Sequence, residues 1–200
     1  MIRLGLTGSI GMGKTTTARL FADAGIPVND ADAVVHDLYA GEAAPLVEAA
    51  FPGTAVRGVV DRQKLSHQLA ADPTGFKKLE AIIHPLVRHR ETEFLQRQGE
   101  AGADIVVLDI PLLFETASHN RVDFIAVVSC DPQIQRQRVL ARPGMTEEKF
   151  NLILARQMPD TEKRARADFV IETGHGIDAA RAQVEAIIAV LRTSQTDKGS

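Results

Sequence analysis

Gly8, Ser9, Ile10, Gly11, Met12, Gly13, Lys14 and Thr15 make up a glycine, four variable residues and then Gly-Lys-Thr, directly after an apolar run at residues 2–6. This is the form of a P-loop at a strand-to-helix turn. Its glycines let the backbone curl so that successive N–H groups point at phosphate oxygens. Lys14 supplies a mobile positive charge, and the Thr15 hydroxyl can ligate Mg²⁺. With Thr16 beside them, these residues predict a bound nucleoside triphosphate.

Phosphoryl transfer also needs a proton acceptor, a metal ligand and cations for the developing charge. In an open parallel sheet, ligands sit beyond the carboxyl ends of the strands, so the residues just after the apolar runs are the candidates. After the second run stand Asp30-Ala31-Asp32; after the third stand Asp109, Pro111 and Glu115. Asp30 could equally be the N-cap of the next helix. Asp32 is the candidate general base, a role worth about 10²–10⁴ in rate. Asp109 is the candidate metal residue, and Glu115 reads as a surface carboxylate at a helix start. Arg138 and Arg142, four apart on one helix face just before Pro143-Gly144, form a candidate movable clamp. His84-Pro85 reads as a structural kink that bends or divides a helix. Histidine spacing supports no zinc site.

These residues need a sheet to hold them. Short apolar runs at 2–6, 105–108, 124–128 and 169–171, with a fifth candidate at 26–28, have the character of parallel strands buried on both faces. Helical stretches follow each: 14–24, stopped by Gly25 and Pro27; a second from about 32; 133–141 and 147–157, separated by Pro143-Gly144; and 178–191, running into a polar tail at 193–200 expected to fray. Alternation of this kind predicts an α/β fold, a three-layer parallel sheet of about five strands. The expected organisation is one domain over 1–200, with a helical insertion at 61–100 and a lid at 138–158.

A chain of 200 residues, 44% hydrophobic and 24% charged, suits one α/β core, and no apolar run approaches the roughly 20 residues that span a bilayer. With a strand expected from residue 2, no signal peptide is expected, and the expected location is cytoplasmic. A net charge of −3 argues against a general nucleic-acid binder, although residues 136–166 carry eight Lys or Arg against four Asp or Glu. Cys130 is alone, so no disulfide forms within the chain and a cysteine metal site is unsupported.

Taken in order and spacing, several motifs resemble dephospho-CoA kinases over nearly the whole chain. They are Leu6-Thr7-Gly8 into the P-loop, Asp30-Ala31-Asp32, Ile83-His84-Pro85-Leu86, Asp109-Ile110-Pro111-Leu112-Leu113-Phe114-Glu115, Arg138 to Arg142, Gln157, and Ala167-Asp168. Where the family carries an Asn, at the expected adenine end of the ATP site, this chain has Glu172-Thr173-Gly174. After Arg142 it lacks the acidic residue found in the family.

The resemblance implies a nucleoside-monophosphate-kinase-like core with a helical CoA-binding region and a lid. It implies transfer of the ATP γ-phosphate to the ribose 3′-hydroxyl of dephospho-CoA, with Asp32 as base, Lys14 and Thr15 contacting ATP and Mg²⁺, and Arg138 with Arg142 as lid cations. Dephospho-CoA is then the partner, with no nucleic acid or membrane, and the protein is expected as a monomer or weak homo-oligomer.

Other readings share parts of the pattern. A kinase for a smaller acceptor, such as a nucleoside monophosphate or shikimate, should not need the long insertion. A GTPase switch would carry an Asn-Lys-any-Asp signature, which is missing here, and the one Asp-any-any-Gly, at Asp72 to Gly75, falls in the insertion. A nucleotide-binding scaffold without chemistry would not need Lys14, Thr15 and Asp32 together.

Overall fold

Short segments that are apolar on both faces have to be covered on both sides, and here they become the strands of one sheet. The computed structural model describes residues 1–72 and 74–196. In chain order the elements open with β1 (Ile2–Thr7), α1 (Lys14–Asp23), β2 (Val28–Asp30), α2 (Ala31–Tyr39), α3 (Ala43–Ala50), β3 (Ala55–Val56) and β4 (Val59–Val60). The middle consists of α4 (Arg62–Ala71), α5 (Gly75–Glu100), β5 (Ile105–Asp109) and a short 3₁₀ turn at Ser118–Arg121. The chain continues through β6 (Phe124–Ser129), α6 (Pro132–Leu140), α7 (Glu147–Leu154), α8 (Asp160–Ala165), β7 (Phe169–Glu172) and α9 (Ile177–Thr196). Among the described residues, no helix is long and apolar enough to cross a membrane.

The five longer strands form a parallel sheet in the order β2-β5-β1-β6-β7, as the apolar runs predict. β1 lies at its centre, pairing in parallel with β5 on one side and β6 on the other. Register sets Leu6 opposite Asp109, so the last residue of β5 lies beside the strand that feeds the P-loop. On one face, Leu4, Leu6, Ile105, Val107, Ala126, Val128 and Ile171 pack with Leu20 and Phe21 of α1 and with Val184 and Leu191 of α9. Burying a side chain the size of Phe21 or Leu191 stabilises by about 1.5–3 kcal/mol.

The chain divides into two compact units, Met1–Asn29 with Gln98–Ser200, and Asp30–Arg97. The first holds the sheet. The second has a core of its own, built on Leu38, Val47, Phe51, Leu65, Leu69 and Ile83. The expected insertion at 61–100 covers its α4 and α5; α2, α3 and the antiparallel β3-β4 pair belong to the same unit. Two-residue strands have no periodicity to read, which is why the hairpin is invisible in the sequence.

Pro85 does not divide the helix that contains it, because α5 runs through it for 26 residues. Proline removes one backbone donor, but Leu79, Ile82, Ile83, Leu86 and Val87 on either side are packed on the unit's core and hold the helix together. Of the tail expected to fray, α9 takes up the part to Thr196, and 197–200 lie outside the described residues.

Candidate active site

Helix starts leave backbone N–H groups without partners, and most chains satisfy them with a side chain. Here Asp30 caps α2, Asp61 caps α4, Asp131 caps α6 and Thr146 caps α7. α1, like α3 and α8, has no side-chain cap; its N-cap is Gly13 and its first turn holds no acidic residue. A polar, positively polarised helix end at the mouth of a glycine loop attracts anions.

The loop can take this shape because two of its glycines adopt left-handed backbone angles, Gly11 at φ 79° and Gly13 at φ 96°. A Cβ on Gly11 would stand 2.4 Å from Val139 Cγ2, inside α6. Both positions therefore exclude side chains by conformation, and Gly11 by contact as well.

Lys14, the first residue of α1, reaches across to the end of β5, where its Nζ lies 2.5 Å from Asp109 Oδ1. Asp109 is buried, with 2% of its surface exposed, whereas Thr15 and Thr16 are exposed on the first turn of α1. Two glutamines grip the loop backbone at Ile10. Gln135 Nε2 donates to the Ile10 carbonyl at 2.7 Å, and Gln157 Oε1 accepts from the Ile10 N–H at 3.1 Å. A cleft of about 410 Å³ opens beside them, lined by Ser9, Met12, Gln157, Met158 and Asp160 among others.

Arg138 sits on α6 with its guanidinium turned to the end of β7. Nη1 donates to Thr173 Oγ1 at 2.9 Å and Nη2 to the Thr173 carbonyl at 2.8 Å. Thr173 Oγ1 in turn donates to the Met12 carbonyl at 2.7 Å, so Arg138 is linked to the P-loop through one residue. Arg142 lies past the end of α6, exposed in the turn at Pro143-Gly144. In the second unit the Asp30 carboxylate accepts from the N–H groups of Asp32 and Ala33, which is the capping role, while Asp32 is exposed on the first turn of α2. Asp32 follows the carboxyl end of β2 by two residues.

Glu115 differs from its sequence reading. It is no surface residue at a helix start: the segment turns without forming a helix, and the Glu115 carboxylate faces inward to a fully buried ammonium, Lys163 Nζ, 2.9 Å away. Glu115 Oε1 also accepts from the Met158 N–H at 2.8 Å. Burial alone would raise its pKa, but Lys163 and the Met158 N–H outweigh this and hold the carboxyl below the ordinary glutamate value.

Gln135 and Lys163 escaped the sequence reading. Gln135 carried a signal, since it lies four residues before buried Val139 and so on the inward face of α6. Lys163 carried none. Burial pushes the Cys130 thiol up, and its Sγ packs 3.5 Å from Met12 Sδ, which makes it a core residue.

A central strand running into a glycine loop, a bare helix end with its lysine, and an aspartate at the end of the neighbouring strand define a P-loop kinase. Residues 2–179 match the dephospho-CoA kinase family, and the chain belongs to it. Members of that family are ATP-dependent transferases acting in the final step of CoA biosynthesis. The dephospho-CoA kinase of Rhizobium etli is 67% identical over 192 residues, covering 96% of this chain and 95% of that one. A protein of Thermus thermophilus with a solved crystal structure is 35% identical, with a TM-score of 0.82 and coverage of 95% and 97%. The dephospho-CoA kinase of Campylobacter jejuni shares the fold at 22% identity, with a TM-score of 0.73 and coverage of 96% and 98%.

Proposed function

We propose that this protein transfers the γ-phosphoryl group of ATP to the ribose 3′-hydroxyl of dephospho-CoA, with the residues of the P-loop unit handling the donor. The observation that carries the donor half is the uncapped start of α1 with Lys14 held against Asp109 at 2.5 Å, and the acceptor rests on the family match over residues 2–179. Backbone N–H groups of Gly13 to Thr16, at the start of α1, bind the phosphates, and Lys14 neutralises charge between them. Asp32 takes the proton from the 3′-hydroxyl as its oxygen bonds to phosphorus and the bond to ADP breaks. Arg138 and Arg142 stabilise the charge on the transferred group.

The Thr15 hydroxyl and the Asp109 carboxylate are hard oxygen donors of the kind that suit Mg²⁺, and they would hold it; bound there, the ion would offset phosphate charge. Net charge of −3 argues against nucleic acid as a partner, and the reading is of a cytoplasmic enzyme with a small-molecule substrate and no membrane partner, acting as a monomer or weak homo-oligomer.

An acceptor screen with ATP tests the substrate. Dephospho-CoA should be phosphorylated in preference to AMP and shikimate, and preference for either of those would overturn the assignment. Asp32→Asn tests the base: turnover should fall by on the order of 10² with ATP affinity kept within a few-fold, and near-normal turnover would remove Asp32 from that role.

A further inference from the structure

An arginine on an exposed helix face sweeps a wide volume, and a catalytic cation has to be held near one geometry. We propose that Thr173 is the positioning residue for Arg138, setting its guanidinium against the P-loop. This rests on the reading of Arg138 as a cation for the transferred phosphoryl group.

Thr173 is itself well fixed. It follows β7 directly, its N–H donates to the Ser129 carbonyl at 2.9 Å, and only 8% of its surface is exposed. Its hydroxyl has one proton to give, and the Met12 carbonyl at 2.7 Å is a nearer acceptor than the Ser129 carbonyl at 3.3 Å. With the proton committed to a carbonyl, the oxygen's lone pairs face Arg138 Nη1 at 2.9 Å. The Thr173 carbonyl takes Nη2 at 2.8 Å. Two parallel bonds from one guanidinium to one residue fix its plane as well as its place.

The same hydroxyl touches the tightest part of the phosphate loop. A Cβ on Gly13 would lie 3.1 Å from Thr173 Oγ1, so the threonine packs against the left-handed turn that opens α1. Met12, Thr173 and Arg138 therefore form one hydrogen-bonded chain, and the arginine keeps register with the loop although it belongs to a different helix. A lysine at 138 could not reproduce this, because a single ammonium lacks the fork.

The test measures kcat, both KM values and thermal stability for Thr173→Val, Thr173→Ala, Thr173→Ser, Arg138→Ala, Arg138→Lys and the Thr173→Val/Arg138→Ala pair. Removing the hydroxyl in Thr173→Val should lower kcat by roughly 10- to 100-fold, with the KM for dephospho-CoA changed by less than about threefold. Thr173→Ser should restore kcat to within about threefold. Thr173→Val should cost nothing further in the Arg138→Ala background.

An equal loss from Thr173→Val with and without Arg138 would show that the hydroxyl serves the loop alone, and the proposal would fall. Near-normal kcat in Thr173→Val together with a damaged Arg138→Ala would also overturn it, while leaving the role of Arg138 intact. A harmless Arg138→Ala would instead remove the underlying reading of the arginine. Should Thr173→Val fail to fold, Thr173→Ala and Arg138→Lys decide the matter: both should lose kcat, and near-normal turnover in either refutes the positioning role.

Discussion

Two lysine-carboxylate pairs, Lys14 with Asp109 and Lys163 with Glu115, use carboxylates only six residues apart, one ending β5 and one in the loop after it, yet they occupy different environments. The difference lies in the lysines: Lys14 is 14% exposed at a helix start with Thr15 open beside it, whereas the Lys163 side chain is completely buried, although of the two carboxylates Glu115 is the more exposed, at 16% against 3% for Asp109. Asp109 is directed at the phosphate loop; Glu115 is directed at Lys163 and at the Met158 backbone. Identical charge chemistry thus does two jobs. A lysine that an incoming phosphate can reach is available for chemistry, whereas a fully buried lysine ties the loop after β5 to α8 and, through Glu115, to the segment carrying Gln157.

The contrast can be broken from the accessible side. Lys14→Ala should cost on the order of 10³ in kcat/KM and should also lower the melting temperature, because it takes the ammonium away from the buried Asp109 carboxylate. Coupled-assay kinetics alongside thermal unfolding would check it, and retained activity would sink the P-loop assignment.

The buried lysine should affect stability without affecting turnover. Lys163→Met leaves the half-buried Glu115 carboxylate beside an apolar chain, and because that carboxylate keeps some exposure the cost should fall toward or below the low end of the roughly 3–5 kcal/mol for breaking a fully buried pair. Urea unfolding should show that loss, with kcat of the folded fraction staying within a few-fold of the parent. A variant with normal stability and collapsed turnover would erase the distinction between the pairs.

A smaller effect lies in pH. The folded pKa of Glu115 is lowered, so its contribution to stability is complete above the ordinary glutamate value near 4.5 and is lost as pH falls through the lower folded value. Glu115→Gln should therefore flatten the acid limb of stability against pH while being less stable than the parent at neutral pH. A parallel acid limb in the two proteins would mean that Glu115 is not the group responsible.

Much of this was open to reading without coordinates. The P-loop is a local signal, since glycines, lysine and threonine at fixed spacing specify their own backbone and helix end. Asp109 was found by the rule that ligands gather at strand ends, and the five strands by apolar runs that only a doubly covered sheet can bury. Glu115 was misread because its partner is 48 positions away and no local pattern encodes that meeting. The hairpin at Ala55–Val60 was too short to have a period, and at Pro85 the local pattern left a bend and a break both open, because local propensity ignores the core that holds α5 together.

By itself, then, the sequence determined the sheet, the phosphate loop and the class of reaction, because each is written in residues close together along the chain. Only the tertiary structure decided which charges are available and which are sealed, and which residues hold the machinery in place. Lys163 under Glu115, Gln135 and Gln157 at Ile10, and Thr173 beneath Arg138 meet through packing between distant elements, where burial gives each contact its strength.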